Sequence, residues 1–252
     1  MMTSPLIPYL DNPLTDLFKD QLKDKILNQI FSYRTNIYFE SLWNELQTEK
    51  TTGKETEQVN LLLDKIVKSK NGPDMIFETY RKVAFGASKN IGPRMIGILL
   101  APILKEERIS TEDEDLIFSV AEELTDTELL GFTKHFEKTK QLHSDDFNDG
   151  IPVPFYRENL EQTVGRSFFR PNINLAKKKL GSFVGKLANI GILLEDIIEN
   201  EQPQADPLTG IPGASGTIAI EYSLMIDPKH QRIVDLINRA IGPTTKGTGE
   251  AL

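Results

Sequence analysis

The sequence predicts a mainly α fold: an N-terminal helical array followed by a smaller α+β region with one β-hairpin. Three observations lead there. Apolar residues recur three or four positions apart through most of the first 141 residues, the period of amphipathic helices. Two capping boxes, Thr111-x-x-Glu114 and Thr125-x-x-Glu128, stand at the head of such runs. Thr217–Met225 instead places Ile218, Ile220, Tyr222 and Leu224 at every second position, the period of a half-buried strand.

The first helix is predicted to start at Pro13 with Asn12 or Asp11 as cap, because proline suits the first helical position. Leu14, Phe18, Leu22, Ile26 and Ile30 then fall four residues apart. The stripe continues through Ile37, Leu42, Trp43 and Leu46, with a bend or break expected near Tyr33–Asn36, where the pattern shifts. Thr48–Gln58, polar and containing Gly53, reads as a surface loop. A second helix covers Glu57–Ser69 and is stopped by Asn71-Gly72-Pro73. A third carries Met75, Ile76, Tyr80, Val83 and Ala87. Gly92-Pro93 opens a short apolar helix through Ile103. The capping boxes open two more, with Leu116, Ile117, Val120 and Ala121 and with Leu129, Leu130, Phe132 and Phe136 on their apolar faces. Residues 1–142 are therefore expected to form one helical domain without internal repeats.

Residues 143–154, polar and then Gly-Ile-Pro-Val-Pro, read as a linker to a second domain over 155–241. Within it Phe155–Phe168 is expected to be helical, Phe169–Asn174 a turn, and Leu175–Ile190 a helix with Leu180, Phe183, Val184 and Leu187 inward. Gly191 suits the left-handed residue that ends such a helix. Ile192–Ile198 and Thr217–Met225 are the two strands, and Glu199–Gly216, rich in Pro and Gly, is their hairpin tip. Asp227-Pro228 caps a last helix carrying Ile233, Val234, Leu236, Ile237 and Ala240. Residues 242–252 are expected to be a disordered tail.

A helix, a turn, a second helix ending in Leu187-Ala188-Asn189-Ile190-Gly191-Ile192-Leu193, and then a β-hairpin resembles the recognition helix and wing of the winged-helix superfamily. The resemblance covers residues 155–240 and rests on this order of elements, without a signature motif. It departs from the commonest version in its long inter-strand loop and in the lack of an assignable small first strand. A helical bundle with an appended hairpin, or a single compact domain, gives a similar pattern.

At 252 residues, with 39% hydrophobic and 26% charged residues, the chain can bury a globular core. It has no cysteine, which excludes disulfides, thiol catalysis and thiolate metal ligands and suits a reducing, cytoplasmic setting. No basic n-region opens the sequence, and no run approaches the roughly 18 apolar residues of a membrane span, so a soluble protein without a membrane partner is expected. The net charge of −8 is uneven. Residues 1–150 hold 18 Lys and Arg against 26 Asp and Glu, whereas 151–252 hold 11 of each. Within the latter, 157–190 has seven basic and two acidic residues, and 191–206 has five acidic and none basic.

That basic segment supplies the candidate nucleic-acid-binding residues, Arg166, Arg170, Lys177, Lys178, Lys179 and Lys186. On the second helix of a helix-turn-helix unit such charges contact phosphates and release counterions. The plainer reading is a solvated helix face. Against DNA stand Glu195, Asp196, Glu199, Glu201 and Asp206, which a wing lying along a duplex would bring towards phosphates.

Other clusters carry no chemistry. Glu112-Asp113-Glu114-Asp115 are consecutive on a helix and cannot converge on one atom; in a first turn they meet the positive end of the helix dipole. Asp145–Gly150 resembles a calcium loop, but Phe147 and Tyr156 occupy positions that need oxygen ligands. Gly181–Lys186 is too short for a phosphate loop and lies within a predicted helix. His135, His143 and His230 lack helical ligand spacing and are expected at the surface; Trp43, Tyr33, Tyr38 and Phe39 are expected to pack a core. No catalytic, metal or cofactor residue is assigned, and no cofactor is expected. The expected function is a non-enzymatic interaction or adaptor protein that holds a protein partner on helical or winged-helix surfaces. The alternatives are a DNA-binding regulator acting through the 174–190 helix and, third, an enzyme with a site dispersed in sequence.

Overall fold

The computed structural model of the protein describes residues 33–47, 65, 66, 68, 69, 71–163, 170–202 and 217–242. The chain divides into two compact units, Met1–Glu122 and Glu123–Leu252.

In the first unit the described elements are α1 (Tyr33–Gln47), α2 (Gly72–Phe85), α3 (Ile91–Lys105) and α4 (Glu112–Glu123). Helix α3 is the hub. It is apolar on all sides and buries twelve of its fifteen residues, as expected of a helix enclosed by others. Helix α1 contributes Ile37, Tyr38, Leu42 and Leu46 to this core. The two backbones approach closely at Gly97, where an added Cβ would lie 2.6 Å from the Tyr38 carbonyl oxygen and 2.9 Å from the Leu42 nitrogen. Glycine is thus required here for closeness. Tyr38 is fully buried, which pushes its hydroxyl pKa upward, and its Oη lies 2.8 Å from Thr79 Oγ1 in a hydrogen bond that works the other way. Phe39 stacks on Tyr80 with ring centroids 6.3 Å apart. Of the four aromatics expected to pack a core, Tyr38 is buried, Phe39 and Trp43 are half-buried, and Tyr33, at the start of α1, is exposed.

Helix α4 opens on the predicted box. The Thr111 and Glu114 backbone N–H groups donate to Glu114 Oε2 and Thr111 Oγ1 at 3.0 and 3.3 Å. The sequence did not reveal that Glu114 is buried, with Arg108 donating to both its oxygens at 2.6 and 2.9 Å. Helix α1 runs unbroken through Asn36. The predicted helix before Tyr33, the 48–58 loop and most of the second helix lie outside the described residues, although Lys65, Ile66 and Lys68 are helical.

The second unit holds α5 (Asp126–Leu142), α6 (Ser144–Asn148), β1 (Val153–Thr163), α7 (Asn174–Leu180), α8 (Phe183–Ile190), β2 (Leu193–Gln202), β3 (Thr217–Ile226), a 3-10 turn (Pro228–His230) and α9 (Gln231–Ile241). The capping box of α5 is formed, and Asp227 Oδ1 accepts the Lys229 N–H ahead of the last helix. The strands form one antiparallel sheet in the order β1-β3-β2, with Leu193 opposite Ile226 and Gln202 opposite Thr217.

Two predicted elements are corrected. Phe155–Thr163, expected to be helical, belongs to strand β1, so the hairpin gains a third strand. Its residues do alternate: Tyr156, Glu158 and Leu160 are at least partly buried, and Arg157, Asn159 and Glu161 are exposed. The predicted helix over 174–190 is two helices. Gly181, at φ 110°, leaves helical geometry in a region that L side chains rarely adopt, and α8 restarts after Ser182. Gly191 ends α8 in the left-handed conformation at φ 89°, as expected.

The predicted 143–154 linker lies inside the second unit, where Phe147 is buried against Phe136. Strand β2 extends to Gln202, past the predicted tip at Glu199; residues 203–216 and 243–252 lie outside the described residues. Phe155 joins the elements of this core. Its ring packs on Phe132 and His135 of α5 and Phe183 of α8, and a register shift in β1 falls at this position, between Pro154 and Tyr156.

Candidate functional site

The six candidate basic residues do not form one helix face. Arg166 lies outside the described residues. Arg170 is exposed ahead of α7, and Lys177, Lys178 and Lys179 project from α7, the first helix of the pair. Consecutive helical positions are about 100° apart, so these three ammonium groups fan out and cannot track one strand of phosphates together. Lys179 is engaged in an ion pair, its Nζ 3.0 Å from Glu158 Oε1 of β1. The alkyl end of Lys177 lies over Gly185, where an added Cβ would collide with it.

Helix α8 is the second helix of the α7–α8 pair. It buries Phe183, Val184, Gly185 and Leu187, and Lys186 is its only charged residue. That charge fastens α8 to the start of α5: Lys186 Nζ donates to Glu128 Oε2 at 2.6 Å and to the Glu123 carbonyl at 3.0 Å. Ser182 Oγ donates to Glu128 Oε1 at 2.7 Å, and the Thr125 N–H donates to Oε2 at 2.9 Å.

Burial alone would raise the Glu128 pKa. The bonds from Lys186, the Thr125 backbone and Ser182 outweigh it and hold the carboxyl at about 2, against an ordinary 4.5. The folded value lies below the unfolded one, so this stabilisation is complete above pH 4.5 and is lost as pH falls towards 2. Glu128→Gln should therefore unfold more easily than the parent at neutral pH by about 1–2 kcal/mol, allowing for solvent screening. The difference in thermal midpoint should close between pH 4.5 and 2. A gap independent of pH would contradict this role.

The sheet has two unlike faces. On one, Tyr156, Leu224, Tyr222 and Ile220 are buried. The Tyr222 hydroxyl donates to Glu195 Oε2 at 3.1 Å, and the Tyr156 hydroxyl donates to Glu158. Burial first, then the neighbouring carboxylates, push both phenol pKa values upward, while the Tyr156 hydroxyl and Lys179 hold Glu158 below its ordinary value. Every polar head here has a partner, so the cluster is a structural network. On the other face, Leu194 and Ile198 of β2 stay 63% and 46% exposed on either side of exposed Asp196. Arg157 of β1 bridges to Glu221 of β3 at 3.0 Å.

The histidines are less exposed than expected. His135 is half-buried and its Nε2–H donates to the Phe155 carbonyl at 2.7 Å; burial pushes its pKa down. His230 is buried. Glu112–Asp115 occupy the first turn of α4, and Asp145 and Asp146 the first turn of α6. Among the described residues no group of three or more His, Asp or Glu side chains could hold a metal ion, and no helix is long and apolar enough to cross a membrane.

The long-range carboxylate partners of Lys179 and Lys186 carry no signal in local sequence. The alternation in Tyr156–Glu161 was the one available sign of β1. No family model, no curated protein and no solved structure matches this chain.

Proposed function

We propose that the second unit is a winged-helix-like module that docks a protein partner, and that the chain acts as a non-enzymatic adaptor. The order α5, α6, β1, α7, α8, β2, β3 with sheet order β1-β3-β2 supports the winged-helix-like part of this reading, since β1 supplies the first strand that the sequence pattern lacked. Charge placement carries the choice of partner. The one cation on α8 is bound to Glu128, and β2 bears Glu195, Asp196 and Glu199. A duplex laid along α8 and the hairpin would meet repulsion from three carboxylates with no unpaired lysine on α8 to offset it. A protein surface meets apolar Leu194 and Ile198 instead.

Exposed Arg170, Lys177 and Lys178 favour the second reading, contact of α7 with nucleic acid. A photo-crosslinking amino acid placed at Leu194, compared with one at Lys178, separates the two. The adaptor reading predicts discrete protein adducts at Leu194 in the cells that make the protein. Nuclease-sensitive adducts at Lys178, with none at Leu194, would overturn it.

A further inference from the structure

We infer that β2 is the receiving edge for an extended, basic and apolar segment of the partner, which adds to the sheet as a fourth strand. The inference rests on the docking reading above and names the chemistry of what docks. In the order β1-β3-β2, strand β2 pairs with β3 along one edge from Leu193 to Gln202, and no strand pairs with its other edge among the described residues. In an antiparallel pair every second residue of an edge strand directs its N–H and C=O outward, a template for an incoming strand.

The side chains specify which strand. Leu194, Asp196 and Ile198 alternate along one face, and Glu195, Ile197 and Glu199 along the other. Reading along the strand, two apolar residues alternate with two acidic ones. A complementary strand therefore carries apolar side chains opposite Leu194, Ile197 and Ile198 and Lys or Arg opposite Glu195, Asp196 and Glu199. A second copy paired antiparallel with Ile197 opposite Ile198, the register that matches the apolar positions, would set Asp196 opposite Glu199, so the pattern that welcomes a basic strand disfavours that self-pairing. The exposed leucine and isoleucine are then the anchors of the contact, and the acidic residues its selectors.

The test titrates the full chain into a labelled peptide with the core Val-Lys-Lys-Val-Val-Lys-Lys-Val, which reads the same in both directions and so fits a parallel or an antiparallel strand. Two controls accompany it: the same peptide with alternate backbone amides N-methylated, and the Asp196→Lys/Glu199→Lys variant. Among the described residues neither of these two exposed carboxylates has a hydrogen bond or ion pair, so the variant should stay folded by circular dichroism. Saturable binding at micromolar concentration is expected, weakened about tenfold by the charge reversal and abolished by N-methylation. Equal binding of the N-methylated peptide, or no binding by a folded parent chain, would overturn the inference. If the peptide fails while Leu194 still crosslinks to protein, strand addition falls and the docking reading stands. If both fail, the docking reading falls with it.

Discussion

Replacing Phe155 with alanine is expected to lower the unfolding free energy of the second unit by about 3–5 kcal/mol. The ring is 2% exposed, and its centroid lies 5.9 Å from that of Phe132, 4.5 Å from that of His135 and 6.5 Å from that of Phe183. It therefore couples β1 to α5 and to α8 at once. Phe155→Leu, which keeps most of the volume, should lose clearly less. Urea unfolding followed by circular dichroism checks both values. A loss below about 1 kcal/mol for the alanine variant would show that the three elements do not depend on this ring.

Gly97→Ala carries the second large effect, a loss of about 1–3 kcal/mol from a single added methyl group. The methyl would meet the Tyr38 carbonyl oxygen and the Leu42 nitrogen of α1, both backbone atoms that cannot rotate away, so α1 and α3 would have to move apart. Gly131→Ala in α5 is the matched control. Its methyl would make ordinary contact with Phe183 at 3.7 Å, and alanine is the better helix former, so this variant should be neutral or slightly more stable. Similar losses at both positions would show that the close approach at Gly97 is not what makes its substitution costly.

The period of the apolar residues made α2, α3, α4 and α5 legible, and the two capping boxes marked where α4 and α5 begin. Strand β3 was equally plain, because it is central in the sheet and every second residue is buried. Strand β1 hid its period because Glu158 occupies an inward position. It is tolerated there through the Tyr156 hydroxyl and Lys179, and the latter partner is 21 residues away in sequence. The break between α7 and α8 hid for a different reason. An isolated glycine within a helical pattern is usually absorbed, and only its left-handed φ at Gly181 reveals the interruption.

The candidate site was legible as composition and not as geometry. A basic stretch followed by an acidic one was visible, but Lys179 pairs with Glu158 and Lys186 with Glu128, which turns two of the supposed phosphate contacts into internal fastenings. The acidic hairpin, an obstacle to DNA in the sequence reading, is what selects the partner in the proposed docking reading.

The most direct measurement is the anisotropy of a labelled mixed-sequence duplex titrated with the full chain at roughly 50 and 200 mM salt, because phosphate contacts must appear as a salt-dependent loss of affinity. No saturable binding is expected at micromolar protein at either salt concentration. Micromolar or tighter binding that falls steeply between the two would contradict it and return α7 and its lysines to the centre of the function.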